Sequence, residues 1–167
     1  MTTGQYIARF RELHDRAKSG SLNEKELVEY RQARTEFSRL MMVAQQLNRS
    51  GKTLRSTLRI AQLFKVELDL GAPPAVRTTT VDLATGGFAA LLPMNEPLGK
   101  VVGFTLNVPV VGNAPSAIRG TARVASSRPH GGLFRVSFTF EPLKPAEQEQ
   151  LEVVIIDSVL ARFASPV

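Results

Sequence analysis

Between Phe64 and Phe140 the chain returns again and again to one pattern, apolar side chains at every second position with polar ones between. The cleanest instance is Phe134, Val136, Phe138 and Phe140, interrupted by Arg135, Ser137 and Thr139. A period of two puts one set on each face of an extended chain, so each such segment reads as a strand with one buried side. Phe64, Val66, Leu68 and Leu70 form another set, as do Val102, Phe104, Leu106 and Val108, and Ile118, Ala122 and Val124 a third. Shorter segments around Thr79, Val81 and Leu83 and from Phe88 to Leu92 bring the total to six. Gly71-Ala72-Pro73-Pro74, Gly86-Gly87 and Gly112-Asn113-Ala114-Pro115 punctuate them. Six short strands at regular spacing, each with one apolar side, predict an antiparallel β-barrel, in which closure removes the exposed sheet edges.

The flanks carry the other period. Tyr6, Ile7, Phe10 and Leu13 recur at three and four residues, predicting a short amphipathic helix to about Ala17 that stops at Lys18-Ser19-Gly20. Ser21-Leu22-Asn23-Glu24 has the spacing of a capping box and is expected to start a second helix. That helix carries the stripe Leu27, Tyr30, Ala33, Phe37, Leu40, Met41, Ala44 and Leu47. The two form a helical hairpin whose apolar sides need cover from the barrel, a second copy of the chain or a partner. After Pro142, Pro145 opens a C-terminal helix with Leu151, Val154, Ile155, Val159, Leu160 and Phe163 along it, expected to plug or flank the barrel. The class is therefore mainly β with helices (α+β). The expected divisions are a hairpin over 1–50, a basic linker over 51–59, the barrel over 60–142 and a terminal helix over 143–167.

Composition sets the outer bounds. With 167 residues and 43% apolar content the chain can bury a real core. It has no cysteine, which removes disulfides and thiolate chemistry. No uncharged apolar run approaches the ~18 residues of a membrane span, and the opening Met-Thr-Thr-Gly-Gln-Tyr lacks a charged region leading into an apolar one. A cytoplasmic location is expected. The net charge of +6 is unevenly placed: between Glu36 and Glu67 there are no acids, but Arg39, Arg49, Lys52, Arg55, Arg59 and Lys65 are all present. Such a segment concentrates anions, although exposed Lys and Arg are also the default of any surface.

Within it, Ser50-Gly51-Lys52-Thr53 resembles the tail of a phosphate-binding P-loop. The motif needs a glycine five residues before Gly51, where Gln46 stands, and a preceding strand rather than a helix. A nucleoside triphosphatase is thereby excluded. An enzyme of another kind is not expected either. His14 and His130 have no metal or nucleophile companion in sequence and read as surface residues, and no carboxylate pair suggests acid and base roles.

The chemistry gathers in a split signature, Arg55-Ser56-Thr57-Leu58-Arg59 and Asp82-Leu83-Ala84-Thr85-Gly86-Gly87. Two guanidinium groups and a carboxylate beside a glycine turn suit a ligand with phosphates and purine edges, because arginine clamps phosphate and also reads a guanine O6/N7 edge. This Arg-x-x-x-Arg followed by Asp-x-(Ser/Ala)-x-x-Gly resembles the PilZ domain, a bacterial receptor module for cyclic di-GMP, over about Leu54 to Gln150.

The resemblance implies a cyclic di-GMP receptor with no cofactor. Arg55 and Arg59 would hold phosphate and guanine, Asp82 would accept from the guanine edge, and Gly87 would allow a backbone turn that a side chain would obstruct. Ala84 stands where the family usually has serine, a lost hydrogen bond worth about 1 kcal/mol or less. Leu54 stands where an extra arginine accompanies capture of a stacked ligand pair, which favours one ligand per site. Arg77, Arg119, Arg123 and Arg135 could extend the site but read equally as exposed strand residues. A protein partner or self-association through the helices is expected. The rival reading is an adaptor that works by protein contact alone. A nucleic-acid-binding barrel is disfavoured, since exposed aromatics interleaved with the basic residues are lacking.

Overall fold

The computed structural model describes residues 2–47, 58–109 and 116–162, with side chains described outside 45–47. Arg55, Leu54, the Ser50 to Thr53 segment and Phe163 lie outside the described residues. Two helices come first, α1 (Thr3–Lys18) and α2 (Glu24–Leu47). The α1 start is a capping box: the Gln5 backbone N–H donates to the Thr2 hydroxyl, and the Thr2 N–H to Gln5 Oε1.

At α2 the capping box is Asn23-x-x-Glu26 instead of the expected Ser21-x-x-Glu24. The Glu26 N–H donates to Asn23 Oδ1 at 2.9 Å and the Asn23 N–H to Glu26 Oε2 at 3.0 Å. Both tetrads have the right spacing, and tertiary contacts choose between them. Arg16 of α1 grips Glu26 through two 3.0 Å bonds, whereas the Ser21 hydroxyl donates to the Arg16 carbonyl and finishes α1.

The hairpin finds its cover in the same chain. Helix α3 (Pro145–Ala161) buries Leu151, Val154, Ile155, Ile156, Val159 and Leu160, residues that between them face most directions around its axis. It lies between the hairpin and the barrel, where it meets two strands, β1 (Arg59–Ile60) and β6 (Ala117–His130). Phe10, Leu13, Tyr30 and Phe37 join the barrel interior and α3 in one hydrophobic core. Leu40 and Ala44, expected in the buried stripe, are exposed. At 1.5 Å per residue, the 24 residues of α2 run about 36 Å against about 24 Å for the 16 of α1, so α2 is the longer arm of the hairpin.

His14 is the clearest departure from expectation. It is fully buried, with Nδ1 2.9 Å from the Tyr30 hydroxyl and Nε2 3.2 Å from Asp157 Oδ1. It follows Phe10 by one helical turn and so shares that residue's inward face. Both ring nitrogens are partnered, which makes an imidazole acceptable there. His130 is exposed, as expected.

The remaining strands are β2 (Lys65–Asp69), β3 (Val76–Ala84), β4 (Gly87–Leu92), β5 (Val101–Asn107) and β7 (Leu133–Phe140). All pairings are antiparallel, in the order β3-β2-β5-β6-β7-β4, and a β3–β4 pairing closes the ring into the expected six-stranded barrel. The two-residue β1 adds to β3 outside that ring, through Arg59↔Ala84 and Ile60↔Leu83. Val66, Leu68, Phe88, Phe104, Leu106, Val136 and Phe138 fill the interior.

Two strands depart from the expected pattern. In β3 the interior position is Thr80, not Thr79, because a bulge between Thr80 and Asp82 shifts the alternation by one residue before Leu83. Strand β6 runs to His130, past the expected end near Val124, on a second bulge between Val124 and Ser126. Its link to β7 is the two-residue turn Gly131-Gly132, with φ of 56° and 83°, the conformation that continues the twist of a hairpin. Among the described residues no helix is long and apolar enough to cross a membrane.

Candidate functional site

The two bulges and the added strand shape one concavity on the outside of the barrel. Residue pairing aligns Asp82 of β3 with Ala89 of β4, Ala89 with Ser137 of β7, and Ser137 with Ser126 of β6. These residues therefore share the outer face. Beside them lies a cleft of ≈ 270 Å³ whose walls include Arg59, Asp82, Ala84, Gly87, Ser137 and Thr139. Four of the five residues singled out from the sequence thus line one space, although Arg59 and Asp82 are more than twenty positions apart.

Arg59 is placed by β1 and by the loop that follows. The buried Thr80 hydroxyl donates to the Gln62 carbonyl at 2.7 Å and accepts from the Phe64 N–H at 3.0 Å, while the Thr80 N–H bonds the Phe64 carbonyl. With Ile60 buried opposite Leu83, these bonds pin the chain that follows the arginine. The bulge that turns Thr80 inward is also what leaves Asp82 facing out.

Asp82 carries two guanidinium groups. Arg135 Nη2 donates to Oδ2 at 2.7 Å, a short charge-assisted bond, and Arg59 Nη1 lies 3.7 Å from the same oxygen. One carboxylate against two arginines leaves a net positive charge beside the cleft. Such a cluster attracts a phosphate and still offers a carboxylate to an N–H edge.

Gly87 is required for a reason other than a turn. Its φ is not positive, but a Cβ there would overlap the Phe138 carbonyl oxygen and press on the Thr139 Cα. Strand β7 passes directly over it, paired through Gly87↔Thr139. The residue keeps β4 and β7 in contact at the cleft floor. Ala84 is buried and presents only a methyl where a hydroxyl would add a polar partner.

Of the four further arginines, only Arg135 joins the site. Arg77 extends into solvent beside Glu67, Arg123 binds Glu141 and the Gly99 carbonyl, and Arg119 lies across from Thr105 on β5. The sequence signal for Arg135 was its outward phase in β7, two residues from Ser137, and that phase acquires meaning only once β7 is known to lie one strand away from β3.

A second cleft of ≈ 350 Å³ adjoins the first, with Arg34 and Arg39 of α2, Glu152 and Ile156 of α3, and Leu58 and Thr85 in its walls. Leu58 and Thr85 are the chain neighbours of Arg59 and Ala84, so the helices reach the edge of the site. Among the described residues no group of three or more His, Asp or Glu side chains could hold a metal.

Comparison of the coordinates with solved structures gives matches of low sequence identity. The Bacillus subtilis inhibitor of motility, MotI/DgrA, superposes with a TM-score of 0.58 at 16% identity, over 66% of this chain and 54% of that one. The PilZ domain of Escherichia coli YcgR, solved with cyclic di-GMP, gives a TM-score of 0.50 at 23% identity, over 67% of this chain and 95% of that domain. The chain thus spans about half the length of the Bacillus protein. No family model and no curated relative matches the sequence. At such identities the likeness is one of fold, and the fold of this chain is PilZ-like.

Proposed function

We propose that this PilZ-like barrel is a cyclic di-GMP receptor that changes conformation on binding and signals to a protein partner through its helices. The observation that carries the reading is the Arg59–Asp82–Arg135 cluster beside a cleft floored by Gly87. It combines cations for phosphate with a carboxylate for the N1–H and amino group of guanine. Arg55, four residues before Arg59 on the connection from α2 to β1, completes the clamp in this reading. One ligand per site is favoured by Leu54.

Signal transmission follows from chain connectivity. The ligand's phosphates draw the arginine-bearing connection onto the barrel, and that connection is the direct continuation of α2. The exposed Leu40 and Val43 near the end of α2 offer an apolar surface for the partner or for a second copy. That surface is also what favours the alternative, an adaptor acting without ligand.

Calorimetric titration decides. Cyclic di-GMP should bind the wild-type protein, and Arg55→Ala or Arg59→Ala should each weaken binding by about 1 kcal/mol or more through lost charge-assisted hydrogen bonds. Wild type and both variants failing equally to bind cyclic di-GMP would remove the receptor reading and leave the adaptor.

A further inference from the structure

We infer that Arg135 is a positioning residue that fixes the Asp82 carboxylate for reading guanine, and that selectivity for guanine over adenine depends on it. The inference rests on the cyclic di-GMP reading above.

Arg135 and Asp82 lie on strands that are not neighbours, since β4 runs between β7 and β3. Their 2.7 Å bond must therefore pass over the outer face of β4. Beneath it on β4 lie Leu91, paired with Arg135, and Ala89, paired with Asp82; Ala89 is only 1% exposed although it belongs to the outer face. A methyl at this position leaves the bridge room, and the bridge in turn covers the methyl.

The other side of Arg135 is closed to it electrostatically. Its direct partner across β6–β7 is Arg128, an exposed like charge on the same face. Opposed like charges on paired strands repel, so Arg135 is driven toward Asp82. The pair is also the better sheltered of the two on this carboxylate, with Arg135 28% exposed against 42% for Arg59.

Both arginines contact Oδ2, which directs the remaining acceptor capacity of the carboxylate, on Oδ1, toward an incoming N–H. A guanine edge presents two donors there, N1–H and the amino group. An adenine edge presents the N1 lone pair, which a fixed carboxylate repels. When Arg59 is recruited to a ligand phosphate, Arg135 is the group that keeps Asp82 aimed.

The test is calorimetric titration of cyclic di-GMP and its adenine counterpart, cyclic di-AMP, against wild type, Arg135→Ala, Arg135→Lys, Asp82→Asn and the Asp82→Asn/Arg135→Ala double variant, at two salt concentrations. Arg135→Ala should weaken cyclic di-GMP about tenfold, the loss of one charge-assisted contact, and leave cyclic di-AMP unchanged. Arg135→Lys should recover part of the loss, the salt dependence should not move, and removal of Arg135 should add nothing in the Asp82→Asn background. If wild type binds cyclic di-GMP and Arg135→Ala binds it equally well, the inference fails and the receptor reading stands. Additive losses with a flatter salt dependence would make Arg135 a direct phosphate ligand and overturn it as well. Absence of wild-type binding would defeat both.

Discussion

At the scale of single residues, the site owes its shape to what two positions lack. Gly87 has no Cβ because the Phe138 carbonyl oxygen occupies that space. Gly87→Ala should therefore destabilise the barrel by about 1–3 kcal/mol, as overpacking against a rigid neighbour does, visible as a lowered denaturation midpoint with or without ligand. Ala84 lacks a hydroxyl at the edge of the same cleft. Ala84→Ser should tighten cyclic di-GMP by about 1 kcal/mol or less, up to several-fold in Kd by titration, and an unchanged Kd would place position 84 outside the ligand's reach. The need for glycine at 87 is visible in the motif, but its cause is not. A turn is the natural guess from Gly86-Gly87, whereas a close approach between β4 and β7 is a fact of strand pairing.

At the scale of elements, the junction of α2 with α3 ties the hairpin to the barrel. Arg34, 10% exposed at its side chain, donates to both oxygens of Glu149 at 2.7 and 2.8 Å and pairs with Glu152 at 3.0 Å. Burial works against the Arg34 cation, but Glu149 outweighs it and holds the guanidinium more firmly protonated than usual. Arg34→Ala should cost on the order of 1–2 kcal/mol, less than a fully buried pair, because Glu149 and Glu152 are partly exposed and regain water. Arg34 also lines the cleft walled by Leu58 and Thr85, so on the proposed receptor reading the same variant should weaken the communication between ligand and helices. Proteolysis or hydrogen exchange at α2, measured with and without cyclic di-GMP, would register that loss; equal ligand protection in wild type and Arg34→Ala would exclude Arg34 from the route.

At the scale of the whole molecule, three helices converge on one buried imidazole. His14 of α1 meets Tyr30 of α2 and Asp157 of α3, with Lys18 Nζ 2.6 Å from the same Asp157 oxygen and Asp15 nearby. Burial pushes the His14 pKa below its ordinary value despite the pull of Asp157. For Asp157, burial raises the pKa, but the Lys18 ammonium and then His14 outweigh it, and the carboxyl ends below its usual range. A depressed folded pKa makes the unfolded state the better proton acceptor, so stability rises with pH. The His14 contribution is fully present above about pH 6.5 and is lost as the pH falls through the lower folded value. Thermal melts from pH 7.5 to 5 should show a falling midpoint. His14→Phe should flatten that slope, and an unaltered slope would assign the effect to other groups.

How much of this was legible beforehand follows from the range of the forces involved. Periods of two and 3.6 are local, so the six barrel strands, the helical hairpin and the terminal helix could be read from the order of apolar residues alone. The split arginine and aspartate signature could likewise be read as a candidate site, and Arg59, Asp82, Ala84 and Gly87 line one cleft. What the sequence could not decide were choices between local alternatives of similar quality. The second helix had two capping boxes within reach, and Arg16 of another helix selected Asn23 with Glu26. The alternation in β3 fitted Thr79 until a bulge turned Thr80 inward and Asp82 outward. His14 passed for a surface residue until Tyr30 and Asp157, 16 and 143 positions away, partnered both its nitrogens. Arg135 was one outward-facing strand arginine among several, and only barrel closure set it one strand from Asp82. The elements were fixed by short-range pattern, because burying one face rewards it within a few residues. The site was fixed by register and closure, because a carboxylate and the arginine that holds it can find one another only after the strands between them have paired.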